Sequence, residues 1–359
     1  MGIVRTALKV DVNTPAAKQP YLHNRWHPDV PFCGTIHNNE TVKIECLDWT
    51  GGQIGNNDSA DDVLNVDLTK VHYLSGPFEI EGAEPGDVLC VEIQDVQPFE
   101  DQPWGFSGVF HKENGGGFLD EIYPHAAKAI WDFEGIHCTS RHIPGVKFAG
   151  LIHPGILGCA PSAEILAEWN RREAELISEK AAGGTTRTVA NPPLTTNAHA
   201  GAADEATAAK VAAEGARTVP GRPEHGVMKD GQKQLGMVNG KSPIFIPGPV
   251  QPQFGPGRML YFEGFSVDEN GKQHFLDATV AYRQSCLRII EYLRRYGYDD
   301  YQIYLLLSAA PVEGHIAGIV DIPNACTTIG LPMDIFDIDI RPETPATKLD
   351  IARAPVSTK

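Results

Sequence analysis

The sequence predicts a mainly β fold with α/β additions, a β-sandwich or barrel-like arrangement carrying inserted helices. Three observations point there. In TVKIECLDW, residues 41–49, Val42, Ile44 and Cys46 alternate with Lys43 and Glu45. DVLCVEIQDVQ, residues 87–97, repeats a similar alternation after the turn EGAEPGD. Alternation with period two gives a strand one face to bury and one to wet, which suits antiparallel sheets better than a buried parallel one. The 36 glycines and 27 prolines in 359 residues favour many short elements joined by shaped turns.

Further along, the pattern changes period. Ser162 can cap a helix beginning after Pro161, with Ile165, Leu166, Trp169, Leu176 and Ile177 as its apolar stripe and Gly183 near its end. Glycines, threonines and paired prolines then mark a surface insertion over 181–219, read as mobile, with an alanine-rich helix near 203–213. From Ala278, ATVAYRQSCLRIIEYLRRYG carries a helical apolar face and ends in glycine. YQIYLLLSAA reads as a buried strand, and HIAGIVDIPNA as a short apolar segment before a sharp turn. The expected organisation is a single catalytic domain over 1–342 and a tail over 343–359.

Composition narrows the function classes. A formal charge of −16 disfavours nonspecific nucleic-acid binding, which needs cations to displace phosphate counterions. No apolar run reaches membrane-spanning length, and no secretory segment opens the chain, so no membrane partner is expected. Seven cysteines without a C-x-x-C pair suit a reducing, cytoplasmic compartment, with most thiols packing as small hydrophobes. No G-x-G-x-x-G follows a clean strand and no Walker loop is present, so no nucleotide cofactor is expected. G-x-S-x-G, zinc-finger spacing and H-E-x-x-H are absent too.

Two polar groups remain as candidates. HNNETVKIECLDWTGGQIGNNDSADD gathers His37, Glu45, Asp48, Gln53 and further acids. On a flat strand Glu45 shares a face with Lys43 while Asp48 points the other way, so a bend before Gly51 is needed to bring the acids together. A solvated strand and glycine turn is the alternative. GVFHKENGGGFLDEIYPHAAKAIWDFEG, residues 108–135, offers Glu113 as proton acceptor or metal ligand and Asn114 to orient an amide. Gly115, Gly116 and Gly117 let the backbone approach another group, or merely form a mobile connection. Trp131, Asp132, His142, His153 and Cys159 follow. His142 is expected to stabilise its turn, and Cys138 and Cys159 to pack.

Taken together, ENGGGFLDEIYPHAAKAIWDFEGIHCTSRHIPGVKFAGLIHPGILGCAPS and TVKIECLDWTGGQIGNNDSADD resemble the central signatures of the acetamidase/formamidase family. The stretch from GKQHFLDATVAYRQ to DIDIRP resembles formamidases more closely than acetamidases. The resemblance implies a largely β amidohydrolase fold, a homo-oligomer, and hydrolysis of a short aliphatic amide, with formamide giving formate and ammonia. One junction departs from it: RTVPGRPEHG runs directly into VMKDGQKQLGMVNGKSPIFIPGPV, where the family carries a further β block after the counterpart of Gly226. Amide hydrolysis needs activated water, stabilised carbonyl charge and a protonated leaving nitrogen. The expected centre is therefore Glu113, Glu45 and His153 as catalytic groups, Gln53 and Asn114 on the substrate, and Asp48 with His225 as ligands of a divalent metal, preferably zinc. Three alternatives stay open: a metal-free carboxylate base, a thiol nucleophile at Cys138 or Cys159, and a noncatalytic amide-binding protein.

Overall fold

The computed structural model describes residues 4–85, 87, 89–149, 155, 157–181, 197–217, 233–238, 242–247, 258–320 and 322–342. The chain forms two compact units. The first takes residues up to Pro144, then Phe148–Gln253 and Tyr304–Ala310; the second takes Gly145–Lys147, Phe254–Ile303 and residues from Pro311 onward.

In the first unit, β1 (Arg5–Leu8) pairs in parallel with β2 (Val42–Ile44). The alternation in 41–49 does not set burial as expected. Ile44 and Cys46 are exposed, while Glu45 is drawn inward by the backbone N–H of Val10, 3.1 Å away. Helix α1 is one turn, Asp61–Leu64. β3 (Trp104–Val109) and β4 (Ala127–Glu134) run antiparallel from Trp104↔Asp132 to Val109↔Ala127. β5 (His137–Thr139) returns along β4 through a two-residue hairpin in which Gly135 takes the left-handed conformation, φ 59°. Ser107 ties this sheet inward: its Oγ accepts the Trp131 indole N–H at 3.0 Å and donates to the Leu305 carbonyl at 3.3 Å.

Helix α2 (Ala163–Ala181) starts where its cap predicts, with Ser162 Oγ accepting the Ile165 N–H. Trp169 is fully buried edge-on against Trp26, with Leu166 and Ala216 completing the cluster. The expected alanine-rich helix is α3 (Glu205–Glu214), capped by Asp204 on the Thr207 N–H at 2.9 Å. It seats Val211 against Val30 and Ala200.

In the second unit, β6 (Met259–Phe265) runs antiparallel to the strand that follows later in the chain, and α4 (Ala278–Leu293) packs beside it. Asp277 caps α4 through the N–H groups of Thr279 and Val280, and Gly297 at φ 91° ends its 3-10 extension. Helix α5 (Asp300–Ala309) crosses the division between the units. β7 (Glu313–Gly318) and β8 (Cys326–Pro332) complete a three-stranded sheet in the order β6-β8-β7. Gly264 is where α4 comes closest: a β-carbon there would lie 2.0 Å from the Ala281 carbonyl oxygen.

Three expectations need correction. The fold is mixed α/β, and among the described residues the sheets hold two to four strands and none closes into a barrel. The packing is local to match: among the described residues, separate apolar clusters form around Trp169, Val63, Leu22 and Val211. The second alternating segment, 87–97, holds a lone bridge at Val91 among its described residues. Alternation supplies two faces but no partner edge, and without one a strand does not form. YQIYLLLSAA is helical, not a strand. Asp299 accepts the Gln302 N–H at 2.9 Å while the Gln302 side chain accepts the Asp299 N–H at 3.0 Å, a reciprocal cap that starts α5.

Candidate active site

The bend anticipated before Gly51 is present. Asp48 makes it: Oδ1 accepts the N–H and the hydroxyl of Thr50, and Oδ2 accepts the Gly52 N–H at 2.8 Å. Gly51 and Gly52 are both left-handed, with φ 71° and 86°. The loop that follows is held from inside by side chains. Gln53 Nε2 donates to the carbonyls of Thr50, Asp67 and Lys70, and its Oε1 accepts the Asp67 N–H. Asn114 Nδ2 donates to the carbonyls of Leu64 and Val66, 3.0 Å each. Both amides therefore grip the 64–70 turn with their polar ends. Gln53 and Asn114 are brought together by that turn.

Glu45 lies at the start of the same stretch, 3.0 Å from Lys43 Nζ on the shared strand face. Burial works against its charge, but Lys43 and the Val10 N–H outweigh it and hold the carboxyl below its ordinary value. The segment 72–75 lies alongside: Ser75 Oγ donates to the Glu45 carbonyl at 2.8 Å, and the His72 N–H to the Trp49 carbonyl at 2.6 Å. Trp49 packs on His72 at 5.4 Å between centroids and on Phe110 at 5.7 Å, which joins this segment to the loop carrying Glu113. Glu113 itself is exposed, and its N–H donates to His111 Nδ1.

The glycine triplet is a packed turn. Gly115 and Gly116 are left-handed, the Gly116 N–H donates to the His111 carbonyl at 3.0 Å, and a β-carbon on Gly117 would sit 2.8 Å from the Tyr304 hydroxyl. That hydroxyl accepts the Leu119 N–H at 2.9 Å, so the close backbone approach expected of the glycines is to Tyr304.

Sequence reasoning passed over Lys128. Its side chain is 1% exposed, and its ammonium donates to both oxygens of Asp62 (2.7 and 2.9 Å), to Asn57 Oδ1 and to the Gly55 carbonyl. In the string AKAIW it resembles a surface lysine on the strand's open face. Its signal was the acid-rich loop NNDSADD, which needs a counter-charge where it is buried. Two buried histidines in YLHNRWHPD were also missed. His23 Nδ1 donates to the Arg25 carbonyl at 2.8 Å, and His27 Nδ1 accepts the Asp29 N–H at 3.0 Å. Burial pulls His23 down to about 4.

His142 fills the structural role expected of it: Nδ1 accepts the Ile130 N–H at 3.0 Å, and Nε2 lies 3.3 Å from Asp58 Oδ1. Cys138 is buried, and burial pushes its thiol up to about 12, which disfavours the thiolate a nucleophile needs. His153 and His225 lie outside the described residues. Among the described residues no three His, Cys, Asp or Glu side chains are grouped to hold a metal ion, and both Asp48 oxygens already cap the bend.

Comparison with known proteins shows the family. A Schizosaccharomyces pombe protein provisionally named a formamidase is 58% identical over 404 aligned positions, covering 97% of each chain. The formamidase of Methylophilus methylotrophus is 44% identical over 96% of this chain and 97% of its own. The γ-lactamase from Delftia acidovorans, a solved structure, superposes with a TM-score of 0.89 at 45% identity, covering 94% of this chain and 95% of that one. Residues 9–230 and 224–338 match the family described as Acetamidase/Formamidase. With the family matched over nearly the whole described chain and relatives at this identity, the chain belongs to the acetamidase/formamidase family.

Proposed function

We propose that this chain hydrolyses formamide, or another short aliphatic amide, to the carboxylate and ammonia. The observation that carries this is the family match across residues 9–338 together with relatives named for formamide hydrolysis along their full length. Glu113 is the base in this reading. Glu113 is exposed on the loop that follows Phe110, whereas both Asp48 oxygens are occupied in holding their own bend. It takes a proton from water as the water oxygen bonds to the amide carbon. Gln53, Asn114 and Asp48 fix the 48–70 loop against which that chemistry happens.

The chain also lacks a family block after Gly226 in this reading. Two facts support it. The family matches as two stretches meeting at 224–230. The comparison with the S. pombe protein runs over 404 positions against 359 residues here, so at least 45 of its positions have no counterpart. The junction lies outside the described residues. A homo-oligomer is the assembly proposed, supported by apolar side chains left open on the second unit, among them Tyr261, Ile316, Val320 and Ile322.

The test is ammonia release by the purified chain, and by a chain restored with the family block, across formamide, acetamide and propionamide. Formamide is expected to be turned over fastest, and the restored chain to exceed the short one. Binding of amide without release by either folded chain contradicts hydrolysis. Equal rates contradict a catalytic need for the block.

A further inference from the structure

We propose that the Asp120 carboxylate binds the amide nitrogen, accepting the N–H groups of the substrate and of the ammonium product, an inference that rests on the hydrolysis proposed above. Among the described residues Asp120 is the acid that is buried, at 9% exposure, and no protein hydrogen bond or ion pair reaches its carboxylate. Other acids nearby are engaged or open to water. Asp62 holds Lys128, Glu45 meets Lys43 and the Val10 N–H, Asp48 caps its own bend, and Glu113 is exposed. The fold does not use the Asp120 side chain to close its turn, because the Asp120 N–H already donates to the Gly117 carbonyl at 3.2 Å. A buried carboxylate without a donor costs stability, so one that the chain leaves bare is suited to a donor that arrives from solution.

The surrounding backbone fixes where that donor would bind. A β-carbon on Gly116 would run into Asp120 Oδ2, so the glycine is what admits the carboxylate. Gly116 belongs to the turn that carries Glu113. The His111 carbonyl accepts the N–H groups of Asn114 at 2.8 Å and Gly116 at 3.0 Å, and His111 Nδ1 accepts the Glu113 N–H at 3.2 Å. The proposed base and the Asp120 carboxylate are thus attached to one short turn, Glu113 on its exposed part and Asp120 packed on Gly116. Tyr304 holds the backbone next to Asp120 by accepting the Leu119 N–H at 2.9 Å.

The chemistry selects the ligand. A primary amide carries N–H donors on its nitrogen, and a carboxylate is an acceptor for them. The attraction grows as the nitrogen gains positive charge on leaving, so the contact favours the transition state over the bound amide. Asp120 exchanges no proton in this role, and the bonds made and broken remain those of the hydrolysis.

Asp120→Asn keeps the side chain's shape and removes its charge. The variant is expected to melt no more than about 3 °C below wild type, since no protein donor loses its acceptor. Its kcat/KM on formamide is expected to fall by about 10–100-fold, as loss of one charge-assisted hydrogen bond requires. Ammonium chloride is expected to inhibit wild type competitively with formamide, and to inhibit the variant at least about tenfold more weakly. Tetramethylammonium chloride, which carries the charge without an N–H, is expected to inhibit neither. Near-wild-type kcat/KM in the folded variant overturns the assignment. Equal inhibition of both proteins by ammonium, or of wild type by both cations, overturns it and leaves water as the partner of the carboxylate. A larger fall in melting temperature, or failure to fold, makes Asp120 structural and overturns it too. A wild-type chain that releases no ammonia overturns the proposed hydrolysis together with this inference, whereas an active wild type with an equally active variant overturns this inference alone.

Discussion

Replacing Lys128 by methionine should be among the costliest single changes in the first unit. The substitution keeps much of the side chain's apolar volume and removes its charge. Four oxygens lose their donor: both on Asp62, Asn57 Oδ1 and the Gly55 carbonyl, all within 3.1 Å of Nζ. Breaking a buried pair from one side costs about 3–5 kcal/mol, because the remaining charge stays desolvated. Asp62 keeps the Gly55 and Val63 N–H groups, at 2.9 and 2.8 Å, and its side chain retains 18% exposure, which places the expected loss near the lower end, about 3 kcal/mol. The pair Lys128→Met with Asp62→Leu removes the stranded charge, so it should recover about 2 kcal/mol relative to the single variant. Equilibrium urea denaturation of wild type, both single variants and the double variant forms the cycle. If the second substitution deepens the loss instead of reversing part of it, the ion pair is not what holds this loop.

Acid should destabilise the fold through His23. Its folded value, about 4, lies below the ordinary 6.5, so the unfolded chain binds more protons in between. The contribution is complete above pH 6.5, is lost as pH falls toward 4, and amounts to about 3 kcal/mol. Urea midpoints from pH 7 to 4 should fall with this span, and His23→Gln should flatten the dependence; an unchanged slope contradicts the burial argument. In the second unit, Gly264→Ala should cost about 3 kcal/mol, because its β-carbon meets the Ala281 carbonyl, which is helix backbone that cannot rotate aside. A calorimetric melt within 1 °C of wild type (roughly the shift expected for a harmless surface change) argues against that close approach.

What the sequence disclosed depended on how local the signal was. Helix α4 and the helix after Ser162 were legible because apolar periodicity and a cap both lie within a few residues. Helix α5 was not, since QIYLLL is apolar on every side and period alone does not separate strand from helix there. The deciding signal was the Asp299–Gln302 pairing, which is local but lies ahead of the apolar run. Segment 87–97 failed for the opposite reason: its alternation is clear, but strand formation depends on a distant partner. In the site, Gln53 and Asn114 meet on the 64–70 turn, while His153 and His225 lie outside the described residues. Whether an amide group holds substrate or its own loop cannot be read from its type, and here both amides hold backbone. Lys128 lies 66 residues from Asp62, and Asp120 shows its burial only in three dimensions.

The most direct test of the account follows formamide consumption by the purified 359-residue chain with ¹H NMR for formate and an enzymatic assay for ammonia. Hydrolysis predicts that both products accumulate in equal amounts, in proportion to enzyme, and that a folded Glu113→Gln variant is slowed by about 100-fold. A folded wild-type chain that leaves formamide untouched, or forms either product without the other, contradicts the account.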